Sequence, residues 1–173
     1  MKSAILGCVA IVTLLLCVAC TKTADSVSYK DSVKQALQQA DLTDVSVSED
    51  RDKNTITLGG TVHSDDAKAK AVDVAKQAAP TRVVANEISV QPVGAESEAK
   101  NMASDLDDAI EKNYEAALIS KGLNKQHIYF SAKNGVLTLK GSVKTASERQ
   151  QAQRAALSVP KVQQVLNQID VKR

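Results

Sequence analysis

The chain has 173 residues, a net charge of +2 and only 2% aromatic residues, with no tryptophan. This length allows one ordinary domain or two small ones, whose cores must be built from Val, Ile, Leu and Ala. The near-neutral charge and the scarcity of aromatic residues exclude a whole-protein affinity for nucleic acid, which needs a basic surface with interleaved aromatic side chains.

The first 20 residues contain every cysteine of the chain: Cys8, Cys17 and Cys20. The apolar run Ala4–Leu16 is too short for a membrane span but suits the hydrophobic part of a secretory signal. The small residue Ala19 before Cys20 resembles the bacterial lipobox, in which the chain is cut before the cysteine and that cysteine is acylated. We therefore predict a signal peptide over residues 1–19, cleavage between Ala19 and Cys20, and lipidation of Cys20. The alternative is an ordinary cleaved signal that leaves a free cysteine.

Lipidation of Cys20 would decide where the protein lives. Each buried methylene contributes roughly 0.8 kcal/mol, so three acyl chains hold a protein at a membrane almost permanently. Thr21 follows the cysteine, and in diderm bacteria this resembles cargo sent to the outer membrane, with the protein facing the periplasm. Residues 20–27 are predicted to form a polar tether. No cysteine remains downstream for a disulfide framework or a thiolate metal site.

The rest of the chain repeats itself at a spacing of 81 residues. Ile56–Val90 aligns without a gap to Leu137–Val171, and ten of the 35 positions are identical. A duplicated domain is the simplest explanation. The first-copy residues of the identical pairs are Thr57, Leu58, Gly60, Val62, Ala71, Ala75, Val84, Asn86, Ile88 and Val90.

Each copy predicts the order helix, strand, strand, helix, strand. Alternating apolar and polar residues on both sides of a turn predict a hairpin. The turn covers Asp50–Asn54 in the first copy and carries Asn134-Gly135 in the second, a pair that tolerates the positive φ of tight turns. Gly60 and Gly141, inside strands, indicate a bulge or a close backbone approach.

The helix after each hairpin begins at a predicted capping residue. Ser64 is the cap in the first copy, while Thr145 and Glu148 have the spacing of a capping box in the second. An apolar stripe, mostly of small residues, would let the first of these helices lie close to a sheet. That stripe consists of Ala67, Ala71, Val74, Ala75 and Ala78.

A further amphipathic helix is predicted ahead of each hairpin, and Gly122 would end the second one. We interpret an acidic run, Asp105 to Glu111, as lying in the first turns of this helix, where negative charge is favourable. Residues 93–101 are predicted to form a linker. The predicted apolar faces are Val33, Ala36, Leu37 and Ala40, and then Leu106, Ala109, Ile110, Ala117 and Leu118.

The pattern of strand, Ala-rich helix and terminal strand resembles the BON domain, named after bacterial OsmY and nodulation proteins. It is carried most strongly by Val136–Val143 and by the ending V-x-x-V-x-N-x-I-x-V, Val162–Val171. The resemblance covers residues 28–92 and 102–173. It implies an α+β fold with two tandem BON domains, each an αββαβ unit with two helices packed on a three-stranded mixed sheet.

Two BON domains behind a lipobox resemble the dual-BON lipoproteins of the outer membrane. Those proteins support envelope integrity, and one branch binds anionic phospholipid through its second BON domain. Residues 102–173 carry eleven Lys and Arg against seven Asp and Glu, giving +4, whereas residues 28–92 carry eight against ten, giving −2. The second unit is thus the better match for an anionic surface. Candidate lipid contacts on or just after its first helix are Lys112, Tyr114, Lys121 and Lys125.

Other conspicuous residues have structural interpretations. Asn86 and Asn167 are predicted to bond backbone groups. His63 and His127 have no partner at metal-ligand spacing, and no catalytic motif stands out, so neither a metal, a cofactor nor an enzyme is predicted. The leading hypothesis is an envelope lipoprotein that binds phospholipid head groups or envelope proteins. A periplasmic chaperone-like or stress-response protein is the alternative.

Overall fold

The computed structural model describes residues 28–172, which form two units with the same order of helices and strands. This confirms the prediction of two tandem α+β domains. Domain 1 consists of α1 (Lys30–Gln39), β1 (Val45–Asp50), β2 (Thr55–Val62), α2 (Asp65–Ala78), β3 (Val83–Asn86) and β4 (Ser89–Val90). Domain 2 consists of α3 (Glu96–Ser120), β5 (His127–Lys133), β6 (Val136–Val143), α4 (Ala146–Leu157), β7 (Gln164–Asn167) and β8 (Asp170–Val171).

Each domain has a mixed sheet around a long central strand. Strand β2 pairs antiparallel with β1 and parallel with β3 and β4, and β6 pairs in the same way with β5, β7 and β8. The third strand is therefore interrupted in both copies. At the interruption, the Oδ1 atoms of Asn86 and Asn167 accept hydrogen bonds from the nitrogens of Ile88 and Ile169, at 3.3 and 3.2 Å. The predicted backbone role of both asparagines is confirmed.

Two helices cover one face of each sheet and enclose a separate core. In domain 1, Val33 and Leu37 of α1 pack with Ile56 and Leu58 of β2, and all four are buried. Alanines at the sheet side of α2 and α4 are fully buried, because their small side chains let the helices approach the strands closely. These alanines are Ala71, Ala75, Ala152 and Ala156.

The local signals in the sequence form the predicted turns and caps. Ser64 Oγ accepts a hydrogen bond from Ala67 N at 3.2 Å, and Thr145 and Glu148 make the reciprocal capping box at the start of α4. The β5–β6 turn places Asn134 and Gly135 at φ 48° and 81°. Both residues therefore have the left-handed backbone conformation that tight hairpins require.

The two glycines inside the central strands occupy places where no side chain fits. Gly60 and Gly141 have φ values of 93° and 101°. A Cβ atom at either position would collide with a backbone carbonyl opposite it, that of Asp44 just before β1 or that of His127 in β5. The predicted close approach of the backbones is what the structure shows, and it recurs in both domains.

The segment predicted as a linker differs from the prediction. Helix α3 begins at Glu96, so most of residues 93–101 are helical. The chain contains no glycine or proline between Gly94 and Gly122, and Glu96 Oε1 accepts a hydrogen bond from Gly94 N at 2.8 Å. The acidic run consequently lies in the middle of α3, which corrects its assignment to the first turns. Ala109, predicted on the buried face, is exposed.

Two residues of the acidic run instead hold the β5–β6 hairpin against α3. The carboxylate of Asp107 accepts hydrogen bonds from the nitrogens of Asn134 and Gly135, at 2.7 and 3.0 Å. Glu111 Oε1 accepts one from Ala132 N at 2.8 Å. These carboxylates thus provide hydrogen-bond acceptors for backbone N–H groups at the turn and at the outer edge of β5, where no neighbouring strand provides them.

The two domains contact each other through the sheet faces that the helices leave open. Ala85 of β3 packs with Val136 and Leu166 of domain 2, and all three are buried. Strands β3 and β7, equivalent under the 81-residue repeat, are in contact. The domains are thus docked side by side and share a small apolar interface.

Candidate functional site

The aromatic residue predicted as a lipid contact lies inside domain 2. Tyr114 is fully buried, its hydroxyl donates a hydrogen bond to Ala152 O at 3.3 Å, and its ring meets that of Phe130 edge to face, with centroids 5.0 Å apart. Burial raises the pKa of the Tyr114 phenol. The proposal that Tyr114 touches lipid is therefore wrong, because it belongs to the buried stripe Ile110, Tyr114 and Leu118 of α3.

Lys112 is exposed but has an unsuitable electrostatic environment for an anion. It lines a shallow depression together with Asp108, Glu111 and Glu115. Three carboxylates surrounding one ammonium give this part of α3 a negative field, which repels a phosphate group. The structure therefore separates Lys112 from the other two candidate lysines.

Lys121 and Lys125 lie at the opposite, C-terminal end of α3. Lys121 is the C-cap residue of the helix, followed by Gly122 at φ 69°, which confirms the predicted stop. Lys121 lines a depression of about 420 Å³ together with Arg154 and Ser158 of the α4 end. Lys125 is exposed in the loop that leads to β5. The ends of both helices therefore carry cations on one side of domain 2.

Large apolar side chains are exposed at these same helix ends. Ile119, in the last turn of α3, is 57% exposed, and Leu157, the last residue of α4, is 63% exposed. Ile119 also lines a hollow of about 330 Å³ with Leu123 and Phe130. We define the helix-end surface as Ile119, Lys121, Lys125, Arg154 and Leu157.

The helix-end surface combines the two properties needed at a lipid interface. Cations near helix C-termini are favourable for the helices themselves, since they interact with the partial negative charge there. The same cations also attract anionic head groups, and exposed aliphatic side chains add apolar area for insertion. Sequence reasoning missed Arg154 and Leu157, although Pro160 indicates that the preceding helix ends before it, which would have placed both residues in the last turns of α4.

The N-terminal end of domain 1 is held by a buried ion pair. Arg82 Nη2 lies 3.2 Å from Glu49 Oε1, and the two side chains are only 5% and 4% exposed. The Arg82 guanidinium lies 5.2 Å from the ring centre of Tyr29. Ser28 Oγ and Tyr29 N donate hydrogen bonds to Glu49 at 2.7 and 3.3 Å. The Ser28 hydroxyl is the main influence that holds the pKa of Glu49 below its ordinary value, while desolvation opposes it. This cluster fixes the point at which the predicted tether joins the fold.

The predicted cleavage and lipidation positions, Ala19 and Cys20, lie outside the described residues. Among residues 28–172, no group of three His, Cys, Asp or Glu side chains could hold a metal ion. Within the same range, no helix is long and apolar enough to cross a membrane.

Comparison with known proteins gives one clear result. The family model described as the BON domain matches twice, over residues 27–92 and 106–173. These matches cover more than half of the chain, and the chain therefore belongs to the BON domain family. The family points to a protein associated with the bacterial envelope or periplasm and is generally non-enzymatic.

Two solved structures of CdsD, a structural protein of the type III secretion system of Chlamydia trachomatis, are similar at 11% identity. The C-terminal domain structure has a TM-score of 0.36, covering 86% of this chain and 100% of that chain. The second has a TM-score of 0.37, covering 82% and 91%. These values are too low to support any conclusion about function. No curated protein matches the chain significantly.

Proposed function

We propose that the protein is a non-enzymatic lipoprotein of the bacterial envelope, anchored through acylated Cys20, whose second BON domain binds anionic phospholipid head groups. The proposed location is the periplasmic side of the outer membrane. The observation that carries the head-group proposal is the helix-end surface, where Lys121 and Arg154 line one depression and where Ile119 and Leu157, in the last turns of the same two helices, are exposed.

The charges of the two domains also favour contact between the second domain and the membrane. Residues 102–173, in domain 2, carry a net charge of +4 and residues 28–92, in domain 1, one of −2, so an anionic membrane attracts the second domain and repels the first. Each cation near an anionic surface contributes about 1 kcal/mol, which is weak for a single contact. A lipid anchor raises the local concentration of the domain at the membrane, so weak head-group contacts suffice.

Vesicle flotation tests the head-group proposal without the anchor. The chain from residue 20 with Cys20→Ser should float with vesicles containing phosphatidylglycerol and not with pure phosphatidylcholine vesicles, and added salt should weaken binding. Lys121→Glu with Arg154→Glu should abolish flotation. Lys34→Glu with Lys76→Glu, the same charge change on exposed residues of domain 1, should leave it unchanged. Equal loss in both double variants would reject a specific surface.

A separate experiment tests the anchor. Cells expressing the full chain are labelled with a clickable fatty acid, and the protein is compared with its Cys20→Ser variant. Label should appear on the wild type alone, and the mass of the purified wild type should correspond to a chain that starts at Cys20. An unlabelled wild type would reject the anchor while leaving the flotation result intact.

The chaperone-like alternative has one observation in its favour, the partly apolar hollow of about 330 Å³ beside the end of α3. This hollow would have to bind unfolded segments. An aggregation assay with a reduced client such as lysozyme would decide, because only a chaperone would suppress the client's light scattering at stoichiometric amounts.

A further inference from the structure

The interface between the domains is approximately two-fold symmetric. Strands β3 and β7 are equivalent in the 81-residue repeat and lie against each other. In a two-fold arrangement, each contact made by one domain should recur with the roles of the domains exchanged. The two halves of this interface can therefore be compared contact by contact.

One half is closed by a side-chain amide. Gln164 Nε2 donates a hydrogen bond to Val84 O at 2.9 Å, and Asn86 N donates one to Gln164 Oε1 at 3.3 Å. These two backbone groups lie on the outer edge of β3, where an additional strand would pair. Asn134 Nδ2 adds a hydrogen bond to Glu87 O at 2.8 Å. The Gln164 carboxamide thus takes the place of a peptide group along the edge of the sheet.

The equivalent groups in the other half lack such a partner. Gln164 N and Gln168 N donate to oxygens of domain 2 on the β6 side, so the oxygen of Val165 and the nitrogen of Asn167 face outward. Position 83, equivalent to Gln164, is a valine that cannot donate or accept a hydrogen bond. Within residues 28–172, neither Val165 O nor Asn167 N has a hydrogen-bond partner.

This half of the interface opens into a groove of about 610 Å³. Lys53, equivalent to Asn134, does not close it, because its Nζ pairs with Asp170 at 2.7 Å instead. The groove is lined by both outward-facing residues of β7 and by Val83, which is 48% exposed. Its charged lining residues balance each other, two acidic and two basic: Asp52, Asp170, Lys53 and Arg149.

We propose that this groove binds an uncharged, extended peptide segment of another protein, which pairs a peptide group with Val165 O and Asn167 N as the Gln164 carboxamide pairs with β3. Strand addition of this kind obtains its affinity from main-chain hydrogen bonds and its specificity from pockets for side chains. The balanced charge of the lining favours a neutral segment, and Val83 offers apolar contact for one small side chain. The groove continues the existing interface between the domains, so the added segment would contact both domains at once.

Nitrogen-15 NMR with a peptide probe tests the proposal on the chain from residue 20 with Cys20→Ser. The probe is acetyl-Thr-Val-Gln-Val-Thr-amide, which is neutral and prone to extended structure. We expect a saturable shift of the Asn167 amide signal with a dissociation constant of about 1 mM or lower, and no shift at Asn86. In Val83→Gln, the new carboxamide should form hydrogen bonds with Val165 O and Asn167 N at the edge of β7. It should therefore weaken probe binding about tenfold or more.

Matched variants keep the test decisive. Val93→Gln, the same change at an exposed valine outside the groove, should bind the probe like the wild type. Gln164→Val should expose the β3 edge and add a probe-dependent shift at Asn86.

Absence of any saturable shift, equal shifts along β1 and β5, or unchanged binding in Val83→Gln would each overturn the proposal. So would an Asn167 shift that depends on protein concentration without the probe, since the occupant would then be a second copy. A large gain in probe binding on deleting residues 21–27 would assign the groove to the chain's own tether and overturn it too.

Discussion

Glu49 is the residue whose ionisation most directly connects pH to the fold. Its carboxylate is buried against Arg82 and accepts hydrogen bonds from Ser28 and Tyr29. Protonation removes the ion pair and weakens these hydrogen bonds, so the contacts favour the charged form. Because its pKa in the folded protein is lowered, the stabilisation is complete above the ordinary value of 4.5 and is lost as pH falls through the folded-state pKa.

We therefore expect Glu49→Gln to remove part of the acid sensitivity of the protein. The difference in free energy of unfolding between wild type and variant should be largest near neutral pH. It should shrink below about pH 4.5, with a slope of at most about 1.4 kcal/mol per pH unit. Urea unfolding between pH 3 and pH 7 measures this difference. Glu115→Gln, on an exposed residue in the middle of α3, is the control, and a constant difference for Glu49→Gln would contradict the assigned role.

At the scale of single elements, the interior of α3 is attached to the β5–β6 turn by the carboxylate of Asp107. Asp107 accepts from two backbone nitrogens at the turn. Removing it leaves both donors without this acceptor, so Asp107→Ala should lower the free energy of unfolding by about 1–3 kcal/mol. Chemical denaturation measures the change. Asp105→Ala, on an exposed neighbour, should stay within about 0.5 kcal/mol, and equal effects would show that only helix charge matters.

How well each feature could be predicted depends on how far apart in the sequence the interacting residues lie. The caps at Ser64 and Thr145 and the turn at Asn134-Gly135 were predictable because their chemistry is complete within four residues. The mixed sheet followed from the family resemblance, and the duplication followed from the 81-residue spacing. The role of Asp107 was not predictable, because its partners lie 27 and 28 residues away along the chain.

Tyr114 shows a second reason for failure. An amphipathic tyrosine can face either lipid or a core, and its spacing from Ile110 and Leu118 argued for the core. The prediction of a lipid contact at Tyr114 disregarded that periodicity. Arg154 was missed because its importance depends on a tertiary contact: it lines a depression with Lys121, where the ends of α4 and α3 meet. The hydrogen bonds between the Gln164 carboxamide and the edge of β3 depend on domain docking, for which the sequence carries no local signal.

For the whole molecule, the docked arrangement of the domains predicts cooperative unfolding. Domains of this size bury a limited core, so even the small interface between them contributes to their stability. Leu166→Asp would place a charge among Ala85 and Val136 and should separate the domains. We expect a lower melting temperature and faster hydrogen exchange at Asn86 in domain 1. Leu157→Asp, on an exposed leucine, should change neither, and unaltered exchange at Asn86 in Leu166→Asp would contradict the docking.

The arrangement also relates the tether, the domains and the membrane. The Glu49–Arg82 cluster holds the start of domain 1, while the helix-end surface lies on domain 2. In the proposed function, the anchor keeps the molecule at the membrane and the second domain touches it, which leaves the groove between the domains accessible to a partner.

The most direct test of this account places a paramagnetic label in the lipid rather than in the protein. The Cys20→Ser chain is mixed with phosphatidylglycerol-containing nanodiscs that carry a head-group spin label, and the broadening of each backbone amide signal is measured. The account predicts the strongest broadening at residues 119–125 and 154–158, with none at β1. Broadening centred on domain 1, or an even effect over both domains, would contradict it.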